Sequence, residues 1–150
     1  METAKKSNEQ SIDVTSGIPV FGYELIREEL LPNILGKDAS HILYWAGKDL
    51  ARKYPLKNID EIFDFFVKAG WGHLSIKREG KQMLEFELTS PIVTERIKKR
   101  EQSTFQIEAG FLAQQVEQQK KVVAEAYEHP KKRAGKVIFT VKWDNRDNIE

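Results

Sequence analysis

The stretch FVKAGWGHLSI (66–76) decides how the chain reads, because the spacing of its apolar residues changes within it. Upstream, in NIDEIFDFFVKAG (58–70), Ile59, Ile62, Phe63, Phe66 and Val67 recur at helical spacing, and Phe65 widens the stripe. Asn58 offers a capping oxygen, and Glu61 follows three positions later as in a capping box. Gly70 stands where a helix end takes a left-handed residue. Downstream, Leu74 and Ile76 alternate with polar residues. Leu84, Phe86 and Leu88 do so again after Glu79-Gly80, which predicts two strands and a hairpin. Gly72 lets the chain turn from helix to sheet. Trp71 either packs at that seam or walls a pocket. A glycine pair that follows a helix is in the wrong context for a nucleotide-gripping loop, and no Walker lysine motif occurs.

Outward from this joint the same logic continues. DASHILYWAGKDLARKY (38–54) predicts a helix capped by Asp38 or Ser40, with Ile42, Leu43, Ala46, Leu50 and Tyr54 on one side. Gly47 inside it costs about 1 kcal/mol of helix propensity relative to alanine. It is either a tolerated glycine or the point where another backbone comes close. YELIREELLPNILG (23–36) predicts a helix that Pro32 bends or ends and Gly36 closes, with Leu25, Ile26, Leu30 and Ile34 apolar. SPIVTERIKKREQS (90–103) reads as a charged connector with at most a helical turn. TFQIEAGFLAQQVEQQ (104–119) predicts a helix with Phe105, Ala109, Leu112, Ala113 and Val116 inward. KVVAEAY and KVIFTVKW predict the last strands, with HPKKRAG (129–135) as the turn between them. The fold class is therefore α+β: helices packed on a twisted, four-stranded antiparallel sheet. Residues 1–16 are expected to form a loose arm, 17–143 one domain, and 144–150 a polar tail.

Composition bounds the function. The 150 residues are enough for one core, and 24 Lys and Arg balance 23 Asp and Glu. That balance is no footprint of a dedicated nucleic-acid binder. The KKR runs at 98–100 and 131–133 lack the interleaved aromatics of a base-stacking surface. There is no cysteine, which excludes disulfides, thiolate metal sites and a cysteine nucleophile, and suits a cytoplasmic location. No apolar run is long enough for a transmembrane span.

Three strings carry a resemblance: ILYWAGKDLA (42–51), FVKAGWGHLSI (66–76) and FQIEAGFLAQQVEQ (105–118). In order and spacing they resemble the superfamily of small-molecule-binding domains that includes 4-vinyl-reductase-like proteins and shares its fold with TRAPP-type transport-particle subunits. Within it they are most similar to an uncharacterised YslB-like family of Firmicutes. The resemblance implies a homodimer formed through helices; Tyr44, Trp45 and Gly47 are the interface candidates on one helix, and the aromatic-rich helix at 59–67 is an equally good one. It also implies an interior that holds an apolar small molecule, with Phe66, Trp71, Phe105, Leu112 and Phe139 as lining candidates. The alternatives are an interior filled by side chains in a domain that works through a protein partner, or a haem-binding sensor or enzyme. Relatives that use a cysteine for acylation or metal binding have no counterpart here, and the cofactor is left open.

No catalytic residue emerges. Glu108 is the most notable acid, because it lies in an apolar helical segment. If buried it needs a partner or its pKa rises; the plainer reading is a structural ion pair. His41, His73 and His129 show no metal-ligand spacing, and no nucleophile, base and orienting group are placed together.

Overall fold

The computed structural model describes residues 17–99 and 104–148. The expected arm at 1–16 lies outside the described residues. The chain divides into two compact units, Met1–Gly36 and Lys37–Glu150.

In the first unit, helix α1 (Val20–Glu24) passes through a π-helical segment, Leu25–Leu30, into α2 (Leu31–Leu35). Pro32 stands at the start of α2, where it was expected to bend or end the helix. Proline has no N–H and its ring crowds the carbonyl four residues earlier, and the wide π turn directly before it opens that space. The helix therefore continues through the proline and stops at Gly36, whose φ is 73°. Within this unit Arg27 donates to the Tyr23 hydroxyl at 3.2 Å.

The second unit carries helix α3 (Ala39–Lys53), helix α4 (Ile59–Lys68), hairpin β1 (His73–Gly80) and β2 (Met83–Thr89), helix α5 (Pro91–Lys99), helix α6 (Gln106–Lys120), and strands β3 (Val122–Lys131) and β4 (Lys136–Asn148). The four strands form one antiparallel sheet in the order β1-β2-β4-β3. Its inner face carries Leu74, Leu84, Phe86, Leu88, Val137, Phe139 and Val141, all buried. Phe86 lies directly opposite Phe139 in the β2–β4 ladder.

The joint at 66–76 resolves as a helix end. Asn58 Oδ1 accepts the Glu61 N–H at 3.0 Å, and the Glu61 carboxylate accepts the Lys57 N–H at 2.8 Å, so the box closes one residue early. At the other end, Gly70 takes φ 75°, its N–H bonds to the Val67 carbonyl, and the Trp71 N–H bonds to the Phe66 carbonyl. These two bonds are the Schellman pattern. Gly72 (φ 135°) then lies against the side chain of Leu88 and the carbonyl of Thr89, where a Cβ would be crowded and the backbone strained.

Four boundaries differ from the sequence reading. The β1–β2 turn is Lys81–Gln82, because Gly80 already pairs with Met83. Pro91–Lys99 is a full helix rather than a connector, with Ser90 Oγ capping the Val93 N–H at 3.1 Å and Val93 and Ile97 buried. His129, Pro130 and Lys131 belong to β3 rather than to the turn; an edge strand tolerates a proline whose missing N–H faces outward. β4 runs on past Trp143 to Asn148, where the expected tail pairs back with Val122.

Helix α6 is the centre of this unit. Every residue from Glu108 to Val116 is buried, so α6 has no wet face over that length. Within that buried stretch Glu108, Gln114 and Gln115 all have polar partners. Gln115 accepts the Leu56 N–H at 3.1 Å and donates to the Tyr54 carbonyl at 2.8 Å, which ties the α3–α4 connection to α6. Glu108 lies 4.0 Å from the guanidinium of Arg96, itself 2% exposed, which donates to the Thr104 carbonyl at 2.7 Å and stacks 4.0 Å from the centre of the Phe105 ring.

Candidate functional site: a groove at the free edge of the sheet

Helix α3 crosses α6 at two glycines. A Cβ on Gly47 would collide with the Ile107 carbonyl, and one on Gly110 with the Tyr44 carbonyl. The backbones touch, which turns α3 so that Leu43, Gly47 and Ala51 face inward and Trp45 faces out, 65% exposed. Gly47 was an interface candidate between copies; its contact is with α6 of its own chain.

Tyr44 is half-buried. Its hydroxyl accepts the Ala126 N–H of β3 at 3.0 Å, and Glu117 accepts the Ala124 N–H at 3.1 Å. Alternate N–H groups of an edge strand point the same way, and Pro130 has none. The outward donors at 124 and 126 are thus occupied by side chains, which protects the edge against pairing with another strand.

A groove of about 490 Å³ opens along this edge. Tyr44, Trp45 and His41 come from α3, Gln106 from the start of α6, and Glu125 to His129 from β3. Tyr127 is 47% exposed, and its hydroxyl donates to Glu125 at 3.1 Å. That bond and the carboxylate charge hold the Tyr127 phenol above the ordinary tyrosine range. Burial pushes the Tyr44 phenol up too, with the Glu125 charge adding to it and the Ala126 N–H opposing it. Glu128 accepts from the Phe105 N–H and the Thr104 hydroxyl, and from the Gln106 side chain, fixing the start of α6. The groove lining therefore has two carboxylates, two imidazoles and three larger aromatic rings, with no Lys or Arg.

The five interior candidates sit elsewhere. Phe66, Phe105, Leu112 and Phe139 are fully buried and Trp71 is 8% exposed. Trp71 meets Phe66 edge-on at 4.9 Å and Phe111 at 5.4 Å, while Phe65 stacks on Phe111 at 4.5 Å. These rings are in contact with one another. His41, His73 and His129 are all exposed, so the interior has no histidine to serve as an axial haem ligand. Among the described residues no cluster of His, Cys, Asp or Glu is placed to share a metal ion. No helix of the described residues is long and apolar enough to cross a membrane.

Of the groove residues, the sequence reading singled out Tyr44 and Trp45 as interface candidates, weighed His41 and left His129 in a turn. It missed Glu125, Tyr127 and Glu128. The signal was the outward alternation Val123, Glu125, Tyr127 beside an inward Val122, Ala124, Ala126. Its neighbourhood with α3 depends on a contact across 82 positions.

The fold has solved relatives. A vinyl-4-reductase family protein from Methanocaldococcus jannaschii superposes with a TM-score of 0.63 at 21% identity, over 85% of this chain and 83% of that one. An Fe(II) unliganded H-NOX protein from K. algicida superposes with a TM-score of 0.53 at 14% identity, over 85% and 75% of the two chains. At such identities the likeness is one of fold. In sequence, the chain is 49% identical over 147 residues to the uncharacterized protein YslB of Bacillus subtilis, covering 97% of this chain and 99% of that protein. Residues 20–142 match the family described as "Protein of unknown function (DUF2507)", and the chain belongs to that family.

Proposed function

We propose that the protein is a non-enzymatic binding domain that takes its ligand in the groove beside Trp45. The observation that carries this reading is an exposed tryptophan and an exposed tyrosine that line one concave surface together with two carboxylates. Pockets with a few placed polar groups and aromatic walls are the usual form of a small-molecule site. The apolar-ligand reading moves with it: in the interior, the contacts among Phe65, Phe66, Trp71 and Phe111 favour a filled core, so the groove is the better place for the apolar part of a small molecule.

A second reading is a homodimer through the same face of α3. Ile42 and Trp45 are exposed together on it, and closed two-fold pairs are the commonest soluble oligomers. Native mass spectrometry of the purified protein and its Trp45→Ala variant, followed by denaturing extraction, separates the two. A small molecule retained by the natural chain and lost from the variant supports the groove. A dimer without extractable compound that becomes monomeric in the variant supports the protein-interaction reading. A bare monomer in both cases contradicts both.

A further inference from the structure

We propose that the groove selects a small organic ammonium cation with alkyl groups on nitrogen. This deepens the binding reading above and rests on it.

The argument is one of charge and ring geometry. Trp45, Tyr44 and Tyr127 line the groove together, and tryptophan is the best side-chain partner for a cation. Glu125 lies on the same wall. Its carboxylate accepts one bond, from Tyr127, and among the described residues it forms no ion pair. It stands opposite Lys142 in the β3–β4 ladder, yet no salt bridge closes between them. Glu128 is held by neutral donors alone, so its charge is not cancelled either. Two lysines stand beside the groove and outside its lining: Lys48, 5.8 Å from the centre of the Tyr44 ring and 3.7 Å from Glu117, and Lys142 on the neighbouring strand. The lining thus carries two carboxylates, the imidazoles of His41 and His129 and three larger aromatic side chains, and no ammonium or guanidinium group. An anion would be repelled there, and a neutral ligand would leave the field of both carboxylates unused. A compact metal ion or bare ammonium is too strongly hydrated to prefer ring faces, whereas an alkylated ammonium spreads its charge over methyl groups that pack on them.

The test is a titration of the full chain with choline, and in parallel with its neutral analogue in which a tert-butyl group replaces trimethylammonium. The readout is the indole N–H resonance of Trp45, assigned through the Trp45→Phe variant. The expected result is that choline moves this resonance and the analogue does not. Glu125→Gln should weaken choline binding about fivefold to tenfold, and high salt should weaken it too. If the analogue moves the resonance as strongly as choline, charge is not recognised and the inference fails while the groove reading stands. If neither moves it, the inference fails, and the extraction experiment above decides the groove reading separately. An unchanged thermal midpoint for Glu125→Gln confirms that lost binding is not lost folding.

Discussion

Gly47 of α3 and Gly110 of α6 are reciprocal contacts: each lies under a backbone carbonyl of the other's helix, those of Tyr44 and Ile107. This crossing sets the rotation of α3, and so decides that Tyr44 reaches β3 while Trp45 faces the groove.

Adding a methyl group at either glycine should therefore destabilise the fold despite the better helix propensity of alanine. Gly47→Ala and Gly110→Ala are each expected to cost about 3 kcal/mol by overpacking against backbone. Urea unfolding measures this. A neutral or stabilising effect would show that the helices do not touch here.

Tyr44→Phe removes the acceptor for the Ala126 N–H without changing shape. The expected loss is about 1 kcal/mol, with faster amide exchange confined to the neighbourhood of Ala126. Exchange unchanged at Ala126 would contradict the bond.

The Arg96–Glu108 pair is buried on both sides, at 2% and 0% exposure of the side chains. Glu108→Ala should cost about 3 kcal/mol, because it takes a buried carboxylate away from a buried guanidinium. Replacing both by apolar residues, as Arg96→Met with Glu108→Leu, should recover much of the loss. Equal damage from the single and double variants would argue against coupling.

Tyr44 and Tyr127 both hold their protons more tightly in the fold than in the unfolded chain. Their contribution is thus fully present below the ordinary tyrosine pKa of about 10, and is lost as pH rises through the higher folded values. Ultraviolet titration should show late ionisation of Tyr44 and Tyr127. Glu125→Gln should return Tyr127 towards the ordinary range, because its main cause is the bond to that carboxylate, and should shift Tyr44 only slightly. Coincident titration before and after the substitution would refute the Tyr127–Glu125 contact.

Much of the fold was legible because periodicity reports it directly. The stripe from Ile59 to Val67, the left-handed Gly70 and the alternation from Leu84 to Leu88 each have a local physical cause. The Pro91–Lys99 helix was not legible, since its charged residues mask the two apolar anchors, Val93 and Ile97. Nor was the full burial of α6, whose glutamines look solvated until Gln115 is seen bonded to Tyr54 and Leu56. Gly47 left two readings open that only a partner backbone could separate. The groove was the least legible, because it is assembled from α3, α6 and β3, and no single string of residues carries it.

The most direct test uses hexyltrimethylammonium, which joins a cationic head to an apolar chain, and follows the indole resonances of Trp45 and Trp71 in one titration. Binding at the edge of the sheet beside a filled core moves Trp45 and leaves Trp71 in place. A shift of Trp71 with Trp45 unmoved would mean that the interior opens to ligand and that the groove is not the site.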